Sequence, residues 1–123
     1  MRTLCSVAVL AVACGRPDPR LICHNGNCVG PDTTRDDTLS AMTDSLALTY
    51  DGLPVLDGIE WDTFWYGRDS RCLFAHDLDH DTSTPASAAA DLVADYLATN
   101  TRASWHGDRF FALIDLKAHV GPS

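Results

Sequence analysis

The stretch Gly58-Ile59-Glu60-Trp61-Asp62 decides the fold of this chain. It lies in a segment, residues 55–64, whose apolar and aromatic residues predict a β-strand. Glu60 and Asp62 are two residues apart, so on a strand both side chains project from the same face of the sheet. Two carboxylates on one face supply the oxygen ligands that a hard metal ion prefers. The stretch therefore predicts a strand and a candidate metal site together.

Three other apolar segments predict strands. Residues 21–23 and 71–75 are short, and residues 110–114 form a continuous apolar run of the kind found where both faces of a strand are covered. Each of the four predicted strands carries or precedes polar residues suited to chemistry: His24, Glu60 with Asp62, His76, and Asp115 with Lys117. In a parallel sheet, such residues gather where the carboxyl ends of the strands meet.

Two segments with helical periodicity separate these strands. In the first, Asp36 or Asp37 is a suitable N-cap, and the apolar residues Leu39, Met42 and Leu46 recur at spacings of three and four up to an end near residues 50–52. In the second, Thr84 suits the N-cap, Pro85 the first helical position, and Asn100 the end. Alternating strands and helices predict βαβ units, a parallel sheet and the α/β class.

The first twenty residues differ from the rest. Residues 1–13 combine a basic start with a short, almost wholly apolar run, which predicts a signal peptide because eleven residues cannot span a bilayer. Residues 11–14 resemble a lipobox, which would make Cys14 the lipidation site; plain secretion and a buried N-terminal element are the alternatives. Residues 14–20 then form a polar, proline-containing linker. We expect an exported protein, either a bacterial cell-envelope lipoprotein or a secreted one, whose domain occupies residues 21–123.

Export would place the cysteines in an oxidising compartment. In an oxidising compartment, Cys23 and Cys28 can form a disulfide that closes a tight loop around His24, which leaves Cys72 as a free thiol expected to be a small buried hydrophobe.

The formal net charge of −8 argues against nucleic-acid binding. An acidic site can still accept an anionic substrate when a divalent cation inverts the local charge.

Taken in order, these motifs resemble the PLC-like phosphodiesterase superfamily, which includes the glycerophosphodiester phosphodiesterases and the sphingomyelinase D-like enzymes. His24-Asn25-Gly26 is similar to the glycerophosphodiesterase His-Arg-Gly, with Asn25 in place of arginine. Asp37-Thr38-Leu39 is similar to the family's Glu-Asn-Thr-Leu, and Asp115-Leu116-Lys117 to the Asp-Leu-Lys of the sphingomyelinase D-like branch. Gly58 to Asp62 and His76-Asp77 complete the set, so the resemblance covers residues 21–117.

The resemblance implies a (β/α)8 TIM barrel. Since such a barrel takes about 250 residues, the chain is expected to hold its N-terminal part, about three βα units, and to be truncated. A sheet that stops there leaves its last strand as an apolar edge.

The resemblance also implies a role for each site residue. Glu60, Asp62 and Asp115 would hold one Mg²⁺ or Ca²⁺, and His24 and His76 would act as the acid/base pair. Asn25 and Lys117 would bind the phosphate of a phosphodiester substrate, of the glycerophosphodiester or lysophospholipid type. The membrane would be a partner only through the lipid anchor on Cys14.

One alternative stays open from the residues themselves. The chain is then a non-enzymatic exported lipoprotein that acts as a binding module, in which the carboxylates on the strand are merely solvated. An inactive structural lipoprotein derived from the enzyme fold is a weaker form of the same reading.

Overall fold

The computed structural model describes residues 20–66, 70–77, 83–100 and 109–119. The predicted signal peptide, Cys14 and the linker up to residue 19 lie outside the described residues, as do His80 and His106. In the part that the structure describes, no helix is long and apolar enough to cross a membrane.

The described elements are mixed α and β. In chain order, they are β1 (Ile22–Cys23), a 3-10 turn (His24–Gly26), a second 3-10 turn (Thr33–Arg35), α1 (Leu39–Leu46), β2 (Thr49–Tyr50), β3 (Leu53–Pro54), β4 (Gly58–Tyr66), β5 (Arg71–Phe74), α2 (Ala86–Thr99) and β6 (Phe111–His119). The predicted α/β class is confirmed at this level, with a sheet that contains parallel strands and two helices.

Strand β4 is the centre of the sheet. On one side it pairs in parallel with β6 over its whole length, so that Glu60 lies beside Leu113 and Asp62 beside Asp115. On the other side it pairs first with β1, in parallel, and then with β5, which runs antiparallel to it. The expectation that His76 follows a parallel strand is wrong, because β5 is the second arm of a hairpin.

The core lies between this sheet and the two helices. Ile59 and Trp61, on the odd-numbered face of β4, pack with Met42 of α1 and with Ala89 and Val93 of α2. Consecutive strand residues face opposite sides, so Glu60 and Asp62 lie on the face away from the helices. The periodicity that buries the aromatic side chain thus also sets the direction of the two acids.

The N-cap of each helix lies one or two residues after the predicted N-cap. Thr38 caps α1 by accepting a hydrogen bond from the amide of Ala41. The side chain of Asp36 instead accepts from Asn25, and that of Asp37 accepts from the amide of Asp62 on β4. Helix α1 ends at Leu46, and the following residues form the β2–β3 hairpin rather than another helical turn. Pro85 is the N-cap of α2 rather than its first residue, while the predicted end at Asn100 is confirmed.

The apolar residues of β6 are exposed. Phe111, Leu113, Ile114 and Leu116 keep between 37% and 76% of their surface accessible. The prediction that both faces of this strand are covered is therefore wrong in the described part of the chain, and the predicted apolar edge is present there. Cys72 is likewise exposed and not buried, and it lies opposite the exposed Trp65 in the β4–β5 register.

The contact between β4 and β6 predicts that Gly58 tolerates no side chain. A Cβ at residue 58 would lie 2.5 Å from the carbonyl oxygen of Phe111 and 2.8 Å from its Cβ. We expect Gly58→Ala to lower the free energy of unfolding by about 2 kcal/mol, measured by urea denaturation. Gly30→Ala is the matched control, since no heavy atom lies within 4 Å of its added Cβ. Equal denaturation midpoints for the two variants would contradict this packing.

Candidate functional site

Asp62 is at the centre of the polar cluster on the open face of the sheet. Only 2% of its side chain is exposed, although it carries a carboxylate. The ammonium of Lys117 forms a short ion pair with Asp62 Oδ2, and Nε2 of His76 lies 4.0 Å from the same oxygen. A buried charge is stable only when it is paired and hydrogen-bonded, so these neighbours are what allow Asp62 to be buried.

Lys117 reaches Asp62 from the neighbouring strand. Its backbone lies beside Phe64 in the β4–β6 register, and its Nζ lies 6.0 Å from the centre of the Phe64 ring. The same Nζ is 3.5 Å from the carbonyl oxygen of His76. Burial alone would lower the pKa of the Lys117 ammonium, but the hydrogen bond and charge of Asp62 outweigh burial and raise that pKa above 10.5. Lys117 therefore stays charged at neutral pH.

His76 reaches the site through the β4–β5 hairpin. Because β5 runs back along β4, its last residue, Phe74, lies opposite Thr63, and the chain then returns to the level of Asp62. Nδ1 of His76 lies 3.4 Å from Oδ2 of Asp77, while its Nε2 faces Asp62. With 39% of its side chain exposed, His76 is accessible from solvent on the open face.

Glu60 forms the second cluster with the turn that follows β1. Its Oε2 accepts a hydrogen bond of 2.8 Å from the backbone amide of Asn25, and Nε2 of His24 lies 3.8 Å from the same oxygen. The side chain of His24 is 47% exposed, whereas that of Glu60 is 16% exposed. The site thus contains two imidazoles, each close to a carboxylate that is less exposed than the imidazole itself.

The turn is held in place by an unusual backbone. Asn25 has a φ of +52°, a left-handed conformation that asparagine tolerates better than most residues. The side-chain amide of Asn25 donates a hydrogen bond to Asp36 Oδ2, 3.2 Å away. The backbone carbonyl of Asn25 accepts a hydrogen bond from the backbone amide of Asp37. A disulfide joins Cys23 to Cys28 across this turn, with their Cα atoms 5.7 Å apart. The side chain expected to bind phosphate is therefore used inside the protein, and phosphate binding by Asn25 stays a prediction.

Asp37 belongs to the site, although sequence reasoning assigned it only to a helix cap. Its Oδ1 accepts a hydrogen bond of 2.8 Å from the backbone amide of Asp62, and it too has a φ of +52°. Its Oδ2 is buried and receives no hydrogen bond from any residue that the structure describes. The sequence offered one further signal, the resemblance of Asp37-Thr38-Leu39 to a family motif, but that resemblance does not show what Asp37 contacts.

Burial raises the pKa of the Asp37 carboxyl from 3.8 to about 8, and the charges of Asp62 and Glu60 add to the increase. The hydrogen bond from the Asp62 amide acts in the opposite direction without cancelling it. Three acidic side chains close together cannot all ionise at low cost, and Lys117 neutralises Asp62, so Asp37 gives up its charge. Asp37 is thus a neutral acid at neutral pH.

The three predicted ligands carry the oxygen donors that a divalent cation requires. Glu60 and Asp62 lie on one face of β4, and Asp115 lies beside Asp62 on β6, so the three predicted ligands meet at adjoining positions. Their carboxylate oxygens and the buried Oδ2 of Asp37 have the chemistry that Mg²⁺ and Ca²⁺ require. Within the described ranges, however, no three His, Cys, Asp or Glu side chains are already gathered as ligands. The described residues fit the ion in type and lie at adjoining strand positions, but their side chains are not gathered as ligands, and Asp62 is paired with Lys117.

Comparisons of this chain with protein-family models, with curated proteins and with solved structures find no match.

The raised pKa of Asp37 predicts an unusual pH dependence of stability. The folded protein keeps this proton until about pH 8, whereas the unfolded chain loses it near pH 3.8, so stability falls as the pH rises between these values. Asp37→Asn keeps an acceptor for the Asp62 amide and removes the titration. In a chelator, we expect this variant to exceed the wild type by about 2 kcal/mol above pH 8 and to lose that advantage near pH 4.

Urea denaturation between pH 4 and 9 measures this difference. Asp62, Glu60 and Lys117 all face Asp37, and they are unchanged in the variant. Asp44→Asn is the control, because it removes a half-exposed carboxylate that pairs with Arg35 outside the cluster. Parallel stability curves for the wild type and Asp37→Asn would show that Asp37 is ionised in the folded protein.

Proposed function

We propose that this chain is a metal-dependent phosphodiesterase of the PLC-like type, in which β1, β4 and β6 are the first strands of a (β/α)8 arrangement. The observation that carries the proposal is the pair of exposed imidazoles, His24 and His76, each within 4.0 Å of a carboxylate. His76 lies beside the ammonium of Lys117, and His24 lies beside Glu60 on the same strand as Asp62.

The two histidines suit general acid and base catalysis. Hydrolysis of a phosphodiester needs one group that removes a proton from the attacking water and another that protonates the departing oxygen. Imidazoles titrate near neutral pH, so one can be neutral while the other is charged. Glu60 lies 3.8 Å from Nε2 of His24, and Asp62 lies 4.0 Å from Nε2 of His76, so each carboxylate can orient its imidazole.

The phosphate would be bound by positive charge. Lys117 is the only lysine of the chain, and its side chain extends from β6 to Asp62 on β4. A Mg²⁺ or Ca²⁺ ion, held by Glu60, Asp62 and Asp115, would supply Lewis-acid stabilisation of the charge that develops on the phosphate oxygens. The chain's own part is to fix these carboxylates on one face and to place the imidazoles beside them.

The surroundings of the site support an amphiphilic substrate. Phe111 and Leu113 lie on β6 on the same face as Asp115 and are 37% and 41% exposed. Apolar surface next to charged groups suits a diester with a polar phosphate and an apolar remainder, as in a lysophospholipid. A glycerophosphodiester uses only the polar part of this surface, so the two substrate types can be separated by experiment.

Asp62→Asn tests the cation. Mg²⁺ or Ca²⁺ at millimolar concentration should raise the melting temperature of the wild type, because a ligand that binds the folded state stabilises it. The shift should disappear in Asp62→Asn, which lacks the buried charge. Asp91→Asn, on the exposed side of α2, should keep the full shift. If neither ion changes the wild-type melting temperature, the metal-dependent proposal fails.

His24→Gln and His76→Gln test the chemistry. Release of choline or glycerol phosphate from a lysophospholipid or a glycerophosphodiester should fall by about 10²- to 10⁴-fold in kcat for each variant, with a small change in KM. Both side chains are well exposed, so the variants should retain the wild-type melting temperature. Substrate binding without turnover in the wild type, unaffected by either substitution, would instead support the non-enzymatic binding module.

A further inference from the structure

The ammonium of Lys117 lies close to two oxygen atoms of other residues. Its Nζ pairs with Oδ2 of Asp62 and lies 3.5 Å from the carbonyl oxygen of His76. The carboxylate is 2% exposed, whereas the lysine side chain is 32% exposed. The ammonium therefore covers a buried acid, and the lysine side chain is the more exposed of the two partners.

The same oxygen is one that a divalent cation would use. Hard cations bind carboxylate oxygens, and a Lys ammonium binds them as a compact point charge. A cation held by Asp62 and Asp115 would lie between neighbouring positions of β4 and β6, which is where the Lys117 side chain crosses from one strand to the other. Two positive charges at this spot repel each other, so a single Asp62 oxygen cannot keep both as close partners.

We propose that the Lys117 ammonium and a divalent cation are alternative partners of Asp62, so that cation binding displaces Lys117 from this carboxylate. The inference rests on the proposed function, in which Glu60, Asp62 and Asp115 take up the cation. Lys117 then sets the affinity of the site: it neutralises the buried acid when cations are scarce, and it is released toward the open face when one binds. The displaced ammonium remains on the side from which an anionic substrate approaches.

The chain offers a direct probe because Lys117 is its only lysine. Reductive methylation with ¹³C-formaldehyde, applied to the full chain, labels this side chain and the α-amino group while retaining both positive charges. The NMR signal of dimethylated Lys117 should move as Mg²⁺ or Ca²⁺ is added, toward its position in metal-free Asp62→Asn. The midpoint of this change should coincide with that of cation binding measured by calorimetry.

Lys117→Gln tests the same competition through affinity. Without the competing ammonium, the cation should bind about tenfold more tightly than to the wild type, a change equal to about 1.4 kcal/mol. Arg35→Gln is the matched control, since it also removes one positive charge, but from the Arg35–Asp44 pair outside the site. Its cation affinity should match that of the wild type. If Lys117→Gln fails to fold, the labelled wild type still decides the question.

The outcomes separate this inference from the proposed function. Cation binding to the wild type with an unmoved Lys117 signal and an unchanged affinity in Lys117→Gln overturns the competition and leaves the metal-dependent function intact. Cation binding to Lys117→Gln alone supports the competition and argues against a metal-dependent function of the wild type. The absence of cation binding to both proteins overturns the inference and the metal-dependent function together.

Discussion

The burial of the Asp62 carboxylate is the constraint on which the rest of the site depends. A charge with 2% of its side chain exposed must be matched by positive charge and by hydrogen-bond donors. Lys117 supplies the charge from the neighbouring strand, and the exposed ring of His76 approaches from the hairpin. The pairing therefore ties β4, β5 and β6 to one point, and it couples the alignment of the strands to the chemistry of the site.

The acids of this cluster have different functions because their surroundings differ. Glu60 is partly exposed and takes a hydrogen bond from the turn after β1, whereas Asp37 is buried and gives up its charge. A neutral Asp37 lets its carboxyl accept the Asp62 amide without adding a third negative charge. Two residues with positive φ, Asn25 and Asp37, bring the loops into this arrangement. The positions of the acids therefore depend on the backbone conformation of these two residues as well as on side-chain contacts.

Much of the architecture could be predicted from the chain. The spacing of Glu60 and Asp62 predicted a strand with both acids on one face, and the structure has that strand, with Ile59 and Trp61 packed in the core. The helical spacing from Leu39 to Leu46 was equally informative, because an apolar stripe must face a core. Caps and helix ends were displaced by one to a few residues, since aspartates that suit a cap locally were needed for contacts distant in the sequence.

The sequence by itself determined which residues are available: strands with acids on one face, histidines just beyond two of them, and a single lysine two residues after an aspartate. Only the tertiary structure decided how they combine. Spacing along the chain shows which face a side chain occupies, but the partner of each carboxylate depends on strand register, on the hairpin that returns His76 to Asp62, and on the burial that neutralises Asp37. Strand register, the return of the hairpin and burial all depend on distances and desolvation, which arise when segments far apart in the chain are packed together.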